Sequence, residues 1–311
     1  KVHLGYQKPD DRDNYSNKRV DTPGVLIASL FRQSFNRLVK DMKKCISKEL
    51  KSNKSGKDAL NLININNIYK IVKPTLIEGG LKYAFATGNW NVKNTTGTKQ
   101  RSKVGHAQVL NRLSYQSCLS HLRRVNSPSE KNNGKIIAPR KIHSSQWGYI
   151  CPAETPEGAP VGLVKNMAFT CEVTIPSDST FINEWLLQND VIIINMDNIH
   201  NCIQKTVIFV NAVVIGYHNN PHILMNDFKN ARRKNQINIY SSIKWDSLSN
   251  EIFIYTDAGR VTRPLYIVEN NKILLKSNQI KDIKRKNMVW EDLIFPYSTK
   301  NTKKSTYLEY I

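Results

Sequence analysis

Residues 139–162 set the limits on what this chain can fold into. They read PRKIHSSQWGYICPAETPEGAPVG. Pro152, Pro156 and Pro160 fix backbone angles and lack an N–H, while Gly158 and Gly162 permit conformations that other residues avoid. Regular structure does not persist through such a stretch, which predicts a stiff loop. The sequence before it has the period of helices. The sequence after it holds runs of β-branched residues. The expected fold class is therefore α+β, with a helical N-terminal part and a β-rich C-terminal part.

In the helical part, residues 1–17 are polar and charged and read as a loop. Thr22-Pro23 is a helix start, with Pro in the first turn and Thr as the cap. Ile27, Phe31, Phe35, Leu38, Met42 and Ile46 recur at spacings of three and four, predicting a long helix with one buried stripe. Arg32, Arg37, Lys40, Lys43 and Lys44 fall on its other side and read as a solvated face. A charged break over 51–57 precedes a second helical run over 59–73. In GGLKYAFATGNW, residues 79–90, Leu81, Tyr83, Ala84 and Phe85 are expected in the core. Gly88-Asn89 marks a turn, and Trp90 is expected as a packing anchor.

Residues 91–103 hold one apolar side chain, Val92, and are expected to form a loop. Residues 104–125 read as one or two helices. Val109, Leu110, Leu113, Leu119 and Leu122 would be their buried side, and Gln108, Arg112 and Tyr115 would share the opposite face. An amide, a guanidinium and a phenol on one face can engage phosphate, ribose and base edges. A solvated face is the plainer alternative. Residues 127–134 lack apolar side chains and read as a second loop. Between Arg101 and His143 there are nine Lys or Arg residues and one acid, Glu130. Across the chain the net charge is +21. That excess points to phosphates, above all nucleic acid.

Glu154 and Glu157 lie in the Pro- and Gly-rich loop. Two carboxylates can hold a metal or work as an acid/base pair. They can equally pair with arginines or cap backbone N–H groups. The local cations outnumber them and no third acid lies nearby, which favours the structural roles. His121, His143 and Cys151 can be assembled into a Cys–His pair on paper, with no readable oxyanion feature to support it. The five cysteines form no C-x-x-C pair and read as reduced thiols.

Beyond residue 170, residues 191–194 and 207–210 read as strands, and Asn211-Ala212 turns the latter into 213–215. Asn220-Pro221 opens a helix to about Lys234, whose Arg232-Arg233-Lys234 end reads as solvated or matched to the helix dipole. Residues 252–255 and 261–268 flank Thr256-Asp257-Ala258-Gly259-Arg260 as a second hairpin. Residues 271–304 are rich in Lys and Asn and are expected to be poorly ordered or dependent on a partner. No apolar run approaches the ~20 residues that a bilayer span requires, and no membrane role is expected. The chain does not open with Met, and a piece of a longer polypeptide is expected.

HLRR, PRKIH, WG and CPAETPEG resemble the fork region of the second-largest (beta-type) subunit of multisubunit DNA-directed RNA polymerases, in its eukaryotic, archaeal and large-DNA-virus form. RDNYSNKRVDTPGVLIASLFRQSF resembles the point where such chains re-enter the protrusion domain. FVNAVVIGYHNNP and TDAGRVTRPLYIV resemble the external domain after the fork. The resemblance implies three portions: the end of a protrusion (1–72), a fork (73–176) and an external domain (177–311). It implies contacts to the RNA–DNA hybrid and the downstream bubble edge by Gln108, Arg123, Arg124 and Arg140, then by Lys103 and His121. Glu154 and Glu157 would brace the active-centre side. Partners would be the largest and other polymerase subunits, template DNA, the RNA transcript and ribonucleoside triphosphates. The Mg2+ of the assembled enzyme would be held mainly by the largest subunit, leaving this chain without catalytic residues and inactive alone. Location would be intracellular: the nucleus, or the cytoplasm or virion for a viral source. A free-standing basic nucleic-acid-binding protein and a metal-dependent hydrolase built on Glu154, Glu157 and the histidines are the competing readings.

Overall fold

Thr22-Pro23 starts a helix of 30 residues, α1 (Pro23–Ser52). The computed structural model describes residues 2–5, 8–52, 65–90, 103–127, 136–195, 205–294 and 307–310. The expected loops at 91–102 and 128–134 and the break at 53–57 lie outside them. By contacts the chain divides into two compact units, one of Asp21–Asn132, the other of Lys1–Val20 with Asn133–Ile311.

The Asp21–Asn132 unit is mainly helical. α1 is followed by α2 (Ile65–Ile71) and α3 (Thr75–Thr87). Gly88 ends α3 in the left-handed region at φ 70°, its N–H donating to the Ala84 carbonyl, a glycine C-cap. β1 (Asn89–Trp90) then pairs antiparallel with β2 (Lys103–Val104). The core gathers Leu30, Ala84 and Trp90, with Leu26, Leu81 and Ala107 against it. Trp90 is the expected anchor: its Nε1–H donates to the Leu26 carbonyl at 2.9 Å, so its large apolar body is buried with its polar atom satisfied.

The buried line of α1 is rotated from the expected one. Leu30, Ser34 and Leu38 are buried, whereas Ile27, Phe31 and Phe35 are exposed. Phe31 and Phe35 stack on each other at 6.1 Å. The missing side chain of Gly80 is what lets α3 come close, since a Cβ there would stand 2.6 Å from Ser34 Oγ. Tyr83 and Phe85, expected in the core, are half exposed, and Ala84 takes the buried position. The unit's last elements are α4 (Tyr115–Leu122) and β3 (Arg124–Asn126).

The second unit is β-rich. It begins with β4 (Val164–Asn166), β5 (Glu172–Val173) and α5 (Thr180–Gln188). β6 (Ile192–Ile193), β7 (Thr206–Val210) and β8 (Val213–His218) follow, then α6 (Pro221–Arg233), β9 (Ser242–Asp246) and β10 (Glu251–Tyr255). These strands form one sheet in the order β6-β8-β7-β10-β9. β7 and β10 run parallel and the other pairs antiparallel. The expected β7–β8 hairpin is present, with Asn211 at φ 48° and Ala212 at φ 66°, the paired left-handed residues of a tight hairpin. Ile208, Val210, Ile252 and Ile254 bury one sheet face with Ile182 and Leu186 of α5 and Leu224 and Phe228 of α6.

The hairpin expected around 256–260 does not form. β11 (Val261–Thr262) pairs instead with β5, and β12 (Pro264–Tyr266) with β15 (Leu308–Tyr310). Arg260 is the reason. Its guanidinium is buried and donates to Ser242 Oγ at 2.6 Å and to the Tyr240 carbonyl at 2.7 Å. Its backbone exchanges bonds with Thr174, which draws the chain toward β5. β13 (Val268–Glu269) and β14 (Lys272–Ile273) form a small hairpin, and α7 (Ser277–Lys284) follows.

Residues 271–294, expected to be poorly ordered, thus carry β14 and α7 and supply Leu293 and Ile294 to a second core with Leu308 and Tyr310. The α6 terminus is another correction. Arg232 is buried rather than solvated. Arg232 and Arg233 each meet a Glu309 carboxylate oxygen at 2.9 Å.

Candidate nucleic-acid interface

In the first unit, most of residues 105–114 are not helical, against the expectation for 104–125. Local side chains hold the backbone in other shapes. Asn111 Oδ1 accepts from the Leu113 N–H, and His121 Nδ1 accepts from the Asn111 N–H at 3.1 Å. Ser114 opens α4 with a capping box: its hydroxyl accepts from the Ser117 N–H, and the Ser117 hydroxyl from the Ser114 N–H. The helix is only eight residues long. Val109 and Leu113, expected to be buried, are 95% and 91% exposed, and Leu119 and Leu122 also face outward.

The same geometry joins two of the expected contact residues. Gln108 Oε1 lies 3.0 Å from His121 Nε2, and its amide nitrogen donates to the Gly105 carbonyl. His121 Nδ1 is an acceptor, so its Nε2 carries the proton and donates to Gln108. The pair holds the irregular stretch against α4. Just beyond, Arg123 caps α4 and Arg124 begins β3 with its side chain exposed. Lys103 enters through its backbone, opposite Trp90 in the β1–β2 pair. Gln108, Arg112 and Tyr115 do not share a helix face, because the backbone between them is irregular.

The remaining expected residues belong to the second unit. Arg140 Nη1 donates to the carbonyls of Ala159 and Val161 at 2.7 and 2.8 Å. Thr155 Oγ1 donates to the Val164 carbonyl and accepts from the Gly162 N–H, both at 3.0 Å. Gly162 sits at φ +72°, and a Cβ there would stand 2.4 Å from the Arg140 carbonyl oxygen. The loop is therefore stiffened by tertiary bonds as well as by its prolines. Glu154 and Glu157 are exposed on it. Among the described residues, no three His, Cys, Asp or Glu side chains gather where they could hold a metal ion.

Behind the loop, Lys165 is buried and its Nζ donates to the Pro139 carbonyl at 3.1 Å. Burial, and then the charge of Lys18, hold its ammonium below the ordinary lysine value. His143 is held away from any Cys–His pairing. Its Nε2 meets Asp11 at 2.8 Å, and its Nδ1 accepts from the Ser145 N–H and lies 2.6 Å from the Ser145 hydroxyl. Thr155 and Lys165 went unsingled in the sequence. A short hydroxyl residue inside a Pro-Gly loop is the available signal for the first. Nothing local marks the second.

A family model described as RNA polymerase Rpb2, domain 3, matches residues 108–173, and one described as RNA polymerase Rpb2, domain 4, matches residues 208–269. DNA-directed RNA polymerase II subunit 2 of Arabidopsis thaliana is 40% identical over 295 residues, covering 93% of this chain and 23% of the relative. The chain belongs to the family of RNA polymerase second-largest subunits. DNA-directed RNA polymerase II subunit RPB2 of Encephalitozoon cuniculi is 39% identical over 94% of the chain and 24% of its own length. The archaeal DNA-directed RNA polymerase subunit Rpo2 of Sulfolobus acidocaldarius is 31% identical over 94% of the chain and 25% of its own length. The chain thus spans about a quarter of the length of these second-largest subunits. Gln108, His121, Arg123, Arg124, Arg140, Glu154 and Glu157 all fall inside the domain 3 match, and Lys103 lies just ahead of it.

Proposed function

We propose that this chain works as part of a DNA-directed RNA polymerase, its portion 73–176 serving as the fork that holds the RNA–DNA hybrid and the downstream edge of the bubble. One observation carries this reading: similarity to second-largest subunits runs through more than nine-tenths of the chain, including the basic stretch with Arg123 and Arg124. Portions 1–72 and 177–311 would be the end of a protrusion and an external domain. The assembled enzyme would add nucleotides from ribonucleoside triphosphates to an RNA 3′ end. Such chemistry rests on positioning and on charge stabilisation by Mg2+, which the largest subunit would hold. This chain's share is to bind and orient nucleic acid, and alone it would be inactive. The site of action would be the nucleus, or the cytoplasm or virion for a viral source.

Within that reading, the Gln108–His121 pair fixes the surface from which Arg123 and Arg124 reach phosphate, and Arg140 with Thr155 stiffens the loop that carries Glu154 and Glu157. An arginine–phosphate bond is charge-assisted, worth about 1.5–3 kcal/mol. Arg124→Ala in the complete polymerase is expected to shorten elongation-complex lifetime roughly tenfold, and more at high salt. Lifetimes equal to wild type across a salt series would reject the contact. Glu157→Gln is expected to change elongation rate or fidelity; if both stay at wild-type values, Glu157 is a surface residue.

A further inference from the structure

The C-terminal half of α1 carries a row of cations that the fork reading does not use. Arg37, Lys40, Lys43, Lys44, Lys48 and Lys51 are all exposed. At 100° per residue they fall within about 140° of arc. The other residues on that arc between 33 and 51 are Gln33, Asn36 and Ser47, so it holds no apolar side chain. Lys43, Lys44, Ser47, Lys48 and Lys51 lie together on one open face of α1. Among the described residues none of the six cations is in an ion pair. The nearby acids do not neutralise the row: Asp41 is spent on Lys73 at 3.1 Å, and Glu49 lies on the opposite side of the helix.

We infer that this row is a second, sequence-independent contact for the phosphate backbone of duplex nucleic acid, which rests on the polymerase reading above. Charge and length fit. From Arg37 to Lys51 the helix rises about 21 Å, alongside roughly six phosphates of one strand at 3.4 Å each. Lysine ammoniums are flexible point charges that suit phosphates without fixed geometry. Protein interfaces are poor in Lys at their centres and rich in aromatic side chains, and bilayer anchors set apolar groups beside their cations. This arc has neither.

The test is fluorescence anisotropy of a labelled 30-base-pair duplex with the full-length chain in its purified native assembly, across a potassium chloride series. Replacing Lys44, Lys48 and Lys51 together by Gln is expected to lower the slope of log affinity against log salt by about 2–3, at about 0.9 per phosphate contact. The Lys→Arg triple should keep the wild-type slope, which separates lost charge from lost folding. An unchanged slope in the Gln triple, with wild type binding duplex, overturns this inference and leaves the polymerase reading intact. No duplex binding by wild type overturns both. A difference seen only with poly-glutamate or anionic vesicles as probe also overturns it.

Discussion

Arg260 shows how much one side chain can organise. It lies in the second unit with its guanidinium shared among Ser242, Tyr240 and Asp257, while Arg19 meets the same Asp257 at 2.5 Å. Through Asp257, and through the Val20 N–H donating to the Gly259 carbonyl, the leading residues are tied to a segment far away in sequence. Arg260→Met would leave Ser242 Oγ and the Tyr240 carbonyl without their donor, while Asp257, partly exposed, keeps Arg19. It is expected to cost about 1–3 kcal/mol, read as a fall in the denaturant midpoint. Gly162→Ala forces a side chain into the left-handed region and onto the Arg140 backbone. A loss on the order of 1–3 kcal/mol is expected, with faster amide exchange over 155–164; exchange equal to wild type would remove the brace. Neither effect could be read from the sequence in full. Gly162 was legible as a special conformer, but its neighbour Arg140, twenty-two positions back, was not.

Among the elements, α1, α6 and the β7–β8 hairpin were legible because their signals are local: a Pro in the first turn, apolar spacing, and a turn dipeptide. α4 was legible only in part. Leucines at helical spacing extended the expected helix back to residue 104, whereas the Ser114 cap and the Asn111–His121 bond fix its start at Tyr115. Apolar spacing does not record such competition for backbone groups. Ser114→Ala is expected to destabilise α4 by about 1 kcal/mol, measured as faster amide exchange at residues 115–118. An unaltered exchange pattern would show that packing, not the cap, sets the helix start. The expected contact residues carry the same lesson. Their types and the charge around them were legible, yet the joining of Gln108 to His121 depends on an irregular backbone that periodicity cannot supply.

On the scale of the whole molecule, long-range charge pairing closes the second unit. Glu309 arrives on β15 and meets Arg232 and Arg233 of α6, residues more than seventy positions earlier. Tyr310 stacks on Tyr240 beside Glu172, and burial, then its hydrogen bond to Glu172, push its hydroxyl pKa up. For Glu309, burial raises the carboxyl pKa, but Arg233 and Arg232 outweigh it and hold the value below the ordinary 4.5. A carboxylate lowered on folding contributes stability that is fully present above that ordinary value and is lost as pH falls through the folded one. Stability measured by denaturant titration is therefore expected to drop below about pH 4.5, and Glu309→Gln to flatten that part of the profile. An identical profile in the variant would assign the acid sensitivity to other carboxylates.

The sequence by itself determined the α+β division, the long first helix, the turn residues, the basic stretch and the motif segment that places the chain in its family. Each of these is written in neighbours within a few positions, where backbone preference and apolar period act. Tertiary structure alone decided which line of α1 is buried, that Thr256–Arg260 leads to β5 rather than into a hairpin, and that Arg232 is buried against Glu309. These choices depend on partners tens of residues away. For α1 the free energy comes from apolar packing against Ala84 and Trp90, for the other two from satisfying buried charges and carbonyls at once, and no local pattern in the chain records where those partners are.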